Sequence, residues 1–111
     1  MPYSVYVIRL DETVWKEKAF QAKNPNRRMD KPCFYVGSTA HTPEKRYEQH
    51  CQAGRLSNRF VRKYHLCLDL KRTSRHGTFD DRGKAEKTEK AYAEQLRAKG
   101  FGIWYGVHAP K

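Results

Sequence analysis

Phe34-Tyr35-Val36-Gly37-Ser38-Thr39, followed by Arg46 and His50, is the stretch whose reading decides the fold of this 111-residue chain. Cys33 to Gly37 reads as a strand, and Gly37 at its end marks a turn or a close backbone approach. A helix is predicted next. Thr42 is a good N-cap, Pro43 suits the first helical position, Glu44 complements the helix dipole, and Gly54 ends the helix.

Upstream, Tyr3-Ser4-Val5-Tyr6-Val7-Ile8-Arg9-Leu10 is β-branched and aromatic, and it predicts a buried strand pairing antiparallel with the first stretch. Residues 11–32 between the two strands are polar, with a turn signal at Asn24-Pro25-Asn26 and a short helix through Val14, Trp15, Ala19 and Phe20. Downstream, Ser57 caps a helix running to about Tyr64, and Leu66, Leu68 and Leu70 alternate with Cys67 and Asp69 as a third strand. Residues 73–83 read as a loop, 85–99 as a long helix stopped by Gly100, and 101–105 as a short closing strand. The expectation is one domain over 1–111. Its class is α+β: a small antiparallel sheet of three strands or slightly more, flanked by helices.

Charge narrows the partners. The chain has 23 Lys+Arg against 12 Asp+Glu, a net charge of +11, with a pI near 9.8 and a mean hydropathy of −0.99. Such a surface attracts polyanions, among which phosphate backbones are the commonest, although charge does not separate a binder from an enzyme. Arg55, Arg59, Arg62, Lys63, Lys71, Arg72 and Arg75 stand against one acid, Asp69, with Phe60, Tyr64 and His65 interleaved. That run reads as a sequence-tolerant backbone-binding surface or, more blandly, as an exposed basic helix. Three scattered cysteines, Cys33, Cys51 and Cys67, predict reduced thiols; a zinc site would have to recruit His50, Cys51, His65 and Cys67 across two elements. No signal peptide is recognised and no apolar run approaches a membrane span, so the expectation is a cytoplasmic protein, with the nucleoid when bound to DNA.

Three features carry chemistry. On the long helix the apolar positions are Ala85, Tyr92, Ala93 and Leu96; at about 100° per residue Glu89 falls inside that stripe, Glu86 at its edge, and Glu94 about 140° away. A carboxylate in a core-facing stripe is costly unless it is paired with a cation, such as an arginine, or holds a metal. Arg46 and His50, four apart, share one helix face, where a guanidinium can clamp a phosphate and an imidazole can pass a proton; a solvated polar face is the plainer alternative. Tyr6 and Tyr35 on paired strands can point to one face, with phenols acidified by nearby cations and able to activate water, or can simply pack the core.

Together, Ser4-Val5-Tyr6, Tyr35-Val36-Gly37, Arg46 and His50 on a helix and Glu89 on a later helix resemble the GIY-YIG nuclease superfamily, over about residues 3–106. The segment 34–39 followed by Arg46 and His50 is the specific part; the first motif is degenerate, since Ser4-Val5 replaces Gly-Ile. Two further departures are the long insertion at 11–32, where the family has a short turn, and the lack of a counterpart to the family's C-terminal asparagine. The insertion carries Arg27, Arg28 and several lysines, which widen the nucleic-acid contact or decorate an edge. The resemblance implies one-metal phosphodiester hydrolysis in DNA, branched or damaged DNA included, in repair or restriction. Glu89 would hold Mg²⁺ or Mn²⁺, and Tyr6 would activate water with help from Tyr35. Arg46 would stabilise phosphate charge, and His50 would orient and relay a proton. Lys45, Arg55, Arg59, Arg62, Lys63 and Arg72 are the expected backbone contacts, with specificity coming from this surface, from a homodimer or from a protein partner. A catalytically inactive binding module of the same fold is the alternative.

Overall fold

Strand β1 (Tyr3–Leu10) is buried along nearly its whole length, with only Arg9 exposed. Its odd and even residues therefore serve two different cores. The computed structural model describes residues 3–40, 42–51, 59–75 and 77–105. Strand β2 (Cys33–Thr39) pairs antiparallel with β1, in a register that sets Tyr6 opposite Gly37 and Ile8 opposite Tyr35. Further strands are β3 (His65–Leu68), β4 (Thr78–Phe79) and β5 (Gly102–Tyr105). Among the described residues they form one sheet in the order β3-β1-β2-β5, with β4 pairing the start of β1.

Val5, Val7, Phe34, Val36 and Ile103 form one core with Tyr92, Ala93 and Leu96 of helix α5 (Arg82–Ala98). Tyr6, Ile8, Leu10, Cys33 and Tyr35 form the other, covered by residues of helices α1 (Lys18–Lys23), α2 (Pro43–Cys51) and α3 (Arg59–Tyr64). Helix α4 (Leu70–Ser74) lies on the α5 side, where Arg72 stacks on Phe34 and Phe101. The α+β class holds, with one correction to the expected antiparallel sheet. Strand β5 runs parallel to β2, Cys33 beside Gly102 through Val36 beside Tyr105. The chain reaches it through α5, and a helical crossover returns a strand parallel to its neighbour, whereas a tight turn cannot. Gly100, with φ +97°, makes the turn out of α5; a side chain there would meet Arg28 Cγ at 2.5 Å.

Two other expectations shift. Leu70 belongs to α4, not to the third strand, and is exposed, as is Leu66. Asp69 caps α4 by accepting from Arg72 N at 2.9 Å, which ends the strand at Leu68. The expected loop 73–83 contains the end of α4 and the short β4. Gly54, expected to end α2, and Ser57, expected to cap the next helix, lie outside the described residues.

Residues 11–32 do more than decorate an edge or widen a basic surface. They supply core. Val14 and Phe20 are fully buried, and the Phe20 ring meets Trp15, Phe60 and Trp104. Asn24 is fully buried and completes the outer edge of β5. Its amide nitrogen donates to Ile103 O at 3.0 Å and Phe20 O at 2.8 Å, while its oxygen accepts from Ile103 N at 2.8 Å and Arg97 Nε at 3.1 Å. A side-chain amide thus stands where another strand's backbone would be. Asn24→Ala leaves Ile103 N–H without its partner, while Ile103 O keeps Arg97 Nη2 at 2.9 Å, and we expect a loss of about 2–3 kcal/mol in urea unfolding. A loss under about 1 kcal/mol would mean that water replaces the amide at this edge.

Candidate active site

Four elements, β1, β2, α2 and α5, carry the expected Tyr6, Tyr35, Arg46 and Glu89. Tyr6 and Tyr35 project from the same face, ring centroids 6.2 Å apart and planes tilted by 41°. Both are buried. Gly37 is what makes room: a Cβ there would lie 2.5 Å from the Tyr6 hydroxyl oxygen and 2.6 Å from Cζ, so the Tyr6 ring rests against bare backbone.

Helix α2 delivers Arg46. Thr42 caps it as its sequence position predicts, its hydroxyl accepting from Lys45 N at 3.1 Å and its carbonyl from Arg46 N at 3.0 Å. Tyr47 packs into the tyrosine-side core, edge-on to His65 at 5.9 Å, and fixes the rotation of the helix. Arg46 then acts electrostatically on both phenols, pulling their pKa values down. The backbone of His50 continues α2, four residues beyond Arg46; its side chain lies outside the described residues.

Helix α5 delivers Glu89. The buried residues of this helix are Ala85, Glu89, Tyr92, Ala93 and Leu96, the stripe expected from helical phase, while Glu94 is exposed and Glu86 is half-buried beside Arg82 at 2.9 Å. Ser38 follows Gly37 on β2 and by strand alternation points to the α5 side, where its hydroxyl hydrogen-bonds the Glu89 carboxylate. Sequence reasoning missed Ser38; the signal was its place one residue beyond Gly37, on the face opposite Tyr35. Burial outweighs that hydrogen bond and pushes the Glu89 pKa up to about 7, with a further push from Glu86.

Of the two readings of the phenols, acidified by nearby cations or packed in the core, burial favours the second. Burial pushes Tyr35 up to about 12 and Tyr6 well above the ordinary tyrosine value; at Tyr35 the charge of Glu89 outweighs the pull of Arg46, and at Tyr6 the neighbouring Tyr35 outweighs it. The two hydroxyls share a hydrogen bond, and Tyr35 is the nearer of the two to ionisation. Tyr6, Tyr35, Arg46 and Glu89 therefore form one electrostatic unit, assembled from both faces of the sheet.

The described cations of the expected backbone contacts lie on two sides of the sheet. Lys45, Arg62 and Lys63 are exposed on the α2–α3 side, with Lys63 3.6 Å from Glu17. Arg72 lies on the other side, bound to Asp69 at 2.9 Å and stacked 4.7 Å above the Phe34 ring. Arg55 and the side chain of Arg59 lie outside the described residues. Cys33 and Cys67 are free thiols, and burial holds the Cys33 pKa at about 11. Among the described residues no helix is long and apolar enough to cross a membrane. Comparison with family models, with curated proteins and with solved structures finds no match to this chain.

Proposed function

We propose that this chain is a metal-dependent endonuclease of the GIY-YIG type that hydrolyses phosphodiester bonds in DNA. The observation that carries the reading is the meeting of Tyr6, Tyr35, Arg46 and Glu89 in one electrostatic unit. Residues from distant points of the chain converge there, with charges suited to a phosphate.

Among the described residues no three His, Cys, Asp or Glu side chains gather as a metal cage. A single buried carboxylate suits a hard cation that keeps most of its own waters, Mg²⁺ or Mn²⁺, and Glu89 would hold it. When bound, the ion would supply positive charge against the phosphate and activation of water. Arg46 would clamp a non-bridging phosphate oxygen and neutralise the charge that grows in the transition state. The phenols, neutral at physiological pH, would act as hydrogen-bond donors, with Tyr35, the nearer to ionisation, towards water or phosphate. His50 would relay the proton.

The test is a panel of nicked, flapped, branched, damaged and plain duplex DNA and a matched RNA, each with Mg²⁺, with Mn²⁺ or with chelator. The expected result is metal-dependent product from at least one DNA. An absence of product throughout, with salt-dependent DNA binding intact, would favour the second reading, a binding module of the same fold. That reading draws on the degenerate Ser4-Val5-Tyr6 motif and on two phenols far from ionisation.

A further inference from the structure

The α5 side of the sheet, away from the tyrosine face, carries a cleft of about 640 Å³. Three separate segments build it: the 11–32 insertion with Arg28 and Lys31, helix α4 with Arg72 and Arg75 just past its end, and the last turns of α5 with Lys99. Five cations line it, and among the described residues lining it there is no carboxylate. Asp69 and Asp30 stand behind Arg72 and Arg28, at 2.9 and 3.6 Å, while Lys31, Arg75 and Lys99 form no ion pair among the described residues. The floor is aromatic but already covered. Arg72 lies 4.7 Å from the Phe34 ring and 5.5 Å from that of Phe101, and Lys31 lies 5.3 Å from Phe101. The cleft therefore offers charge and hydrogen-bond donors and no open ring face on which a base could stack.

We infer that this cleft between α4, α5 and the insertion binds the phosphodiester backbone of a nucleic-acid strand, as a surface separate from the tyrosine site. Its occupant is read by phosphate and not by base, because the donors are cationic and the rings are capped. Its direction follows from α5. Tyr92, one turn beyond Glu89, lines the near end and Lys99 the far end; Glu89 to Lys99 spans about 15 Å along the helix axis. A strand entering at Glu89 would thus run its flank down the cleft. The inference rests on the nucleic-acid half of the function proposed above and needs no cleavage.

Arg75 and Lys99 are exposed, so Arg75→Ala/Lys99→Ala should leave the fold intact; Lys16→Ala/Lys18→Ala, exposed on the opposite layer, removes the same net charge. Binding of a labelled single-stranded DNA of mixed sequence is measured without metal, across a salt series. The cleft variant is expected to bind about tenfold more weakly than the charge-matched control in 0.1 M salt, with a salt slope shallower by about 1.4. In the unsubstituted protein, the DNA should shield Lys31 and Lys99 from acetylation more than Lys16 and Lys18. Binding within twofold of the control, or equal acetylation of the four lysines, overturns the inference. So does polyglutamate that depends on Arg75 and Lys99 as strongly as the DNA does, since the cleft would then accept any polyanion. If the cleft variant loses binding while no substrate is ever cut, the cleft stands and the nuclease reading falls; cleavage with unaltered binding gives the reverse.

Discussion

Glu89→Gln is expected to abolish metal-dependent cleavage and, in the same protein, to raise stability at pH 8 by about 3 kcal/mol. Both effects come from one cause, an acid held in a site that disfavours its charge. Burial raises the Glu89 pKa to about 7 from 4.5. Between these values the folded chain keeps a proton that the unfolded chain has lost, so the folded state weakens as pH rises through that window. Above pH 7 the whole penalty is present, and it corresponds to about 3 kcal/mol. Glutamine has nearly the same shape, can still accept from Ser38, and never ionises. Thermal unfolding of the two proteins should therefore coincide near pH 4 and diverge by about 10–20 °C by pH 8. Mg²⁺ should narrow the gap by stabilising only the parent. A gap that does not change with pH, or a Gln variant that still cuts, would remove Glu89 from the role given to it. Cleavage by the parent should fall as pH drops through about 7, because protonation of Glu89 removes the charge that attracts the cation.

Arg46→Ala is the second large effect. We expect a fall in single-turnover cleavage of about 100- to 1000-fold, the usual loss when one preorganised charge aimed at a transition state is removed. Arg46 is half-buried and acts on both phenols, so its loss also raises their pKa values further. Arg46→Lys tests the geometry. An ammonium keeps the charge without the two-pronged donor, so activity should return only in part. Full activity in the Lys variant would reduce Arg46 to a point charge. Unaltered activity in the Ala variant would separate the tyrosine site from catalysis.

Glu89 was legible in the sequence because helical phase is a local property: five residues on one stripe suffice to find it. The tyrosine hairpin was legible for the same reason, since strand alternation carried Tyr6 and Tyr35 to one face once the two strands paired. Long-range effects were not. Nothing near Asn24 announces that its amide will pair with a residue 79 positions away. Arg72 reads as one more cation until the fold lays Phe34 and Phe101 beneath it. The parallel β5 escaped because strand direction depends on the path of α5, which composition does not encode. The sequence left the phenols open between acid and core because a nearby cation is visible in it, whereas the depth of burial that outweighs it is not.

The seam between β2, β5 and Asn24 also bears on how the chain is made. Both cores wait for the final strand, since Ile103 closes one and Trp104 packs against the other. A nascent chain that has not yet reached residue 103 has β1 and β2 with an open edge, Asn24 without Ile103 and Phe20 without the Trp104 ring. Completion of both cores is therefore expected only once residue 104 has been made, with the β1–β2 hairpin exposed until then.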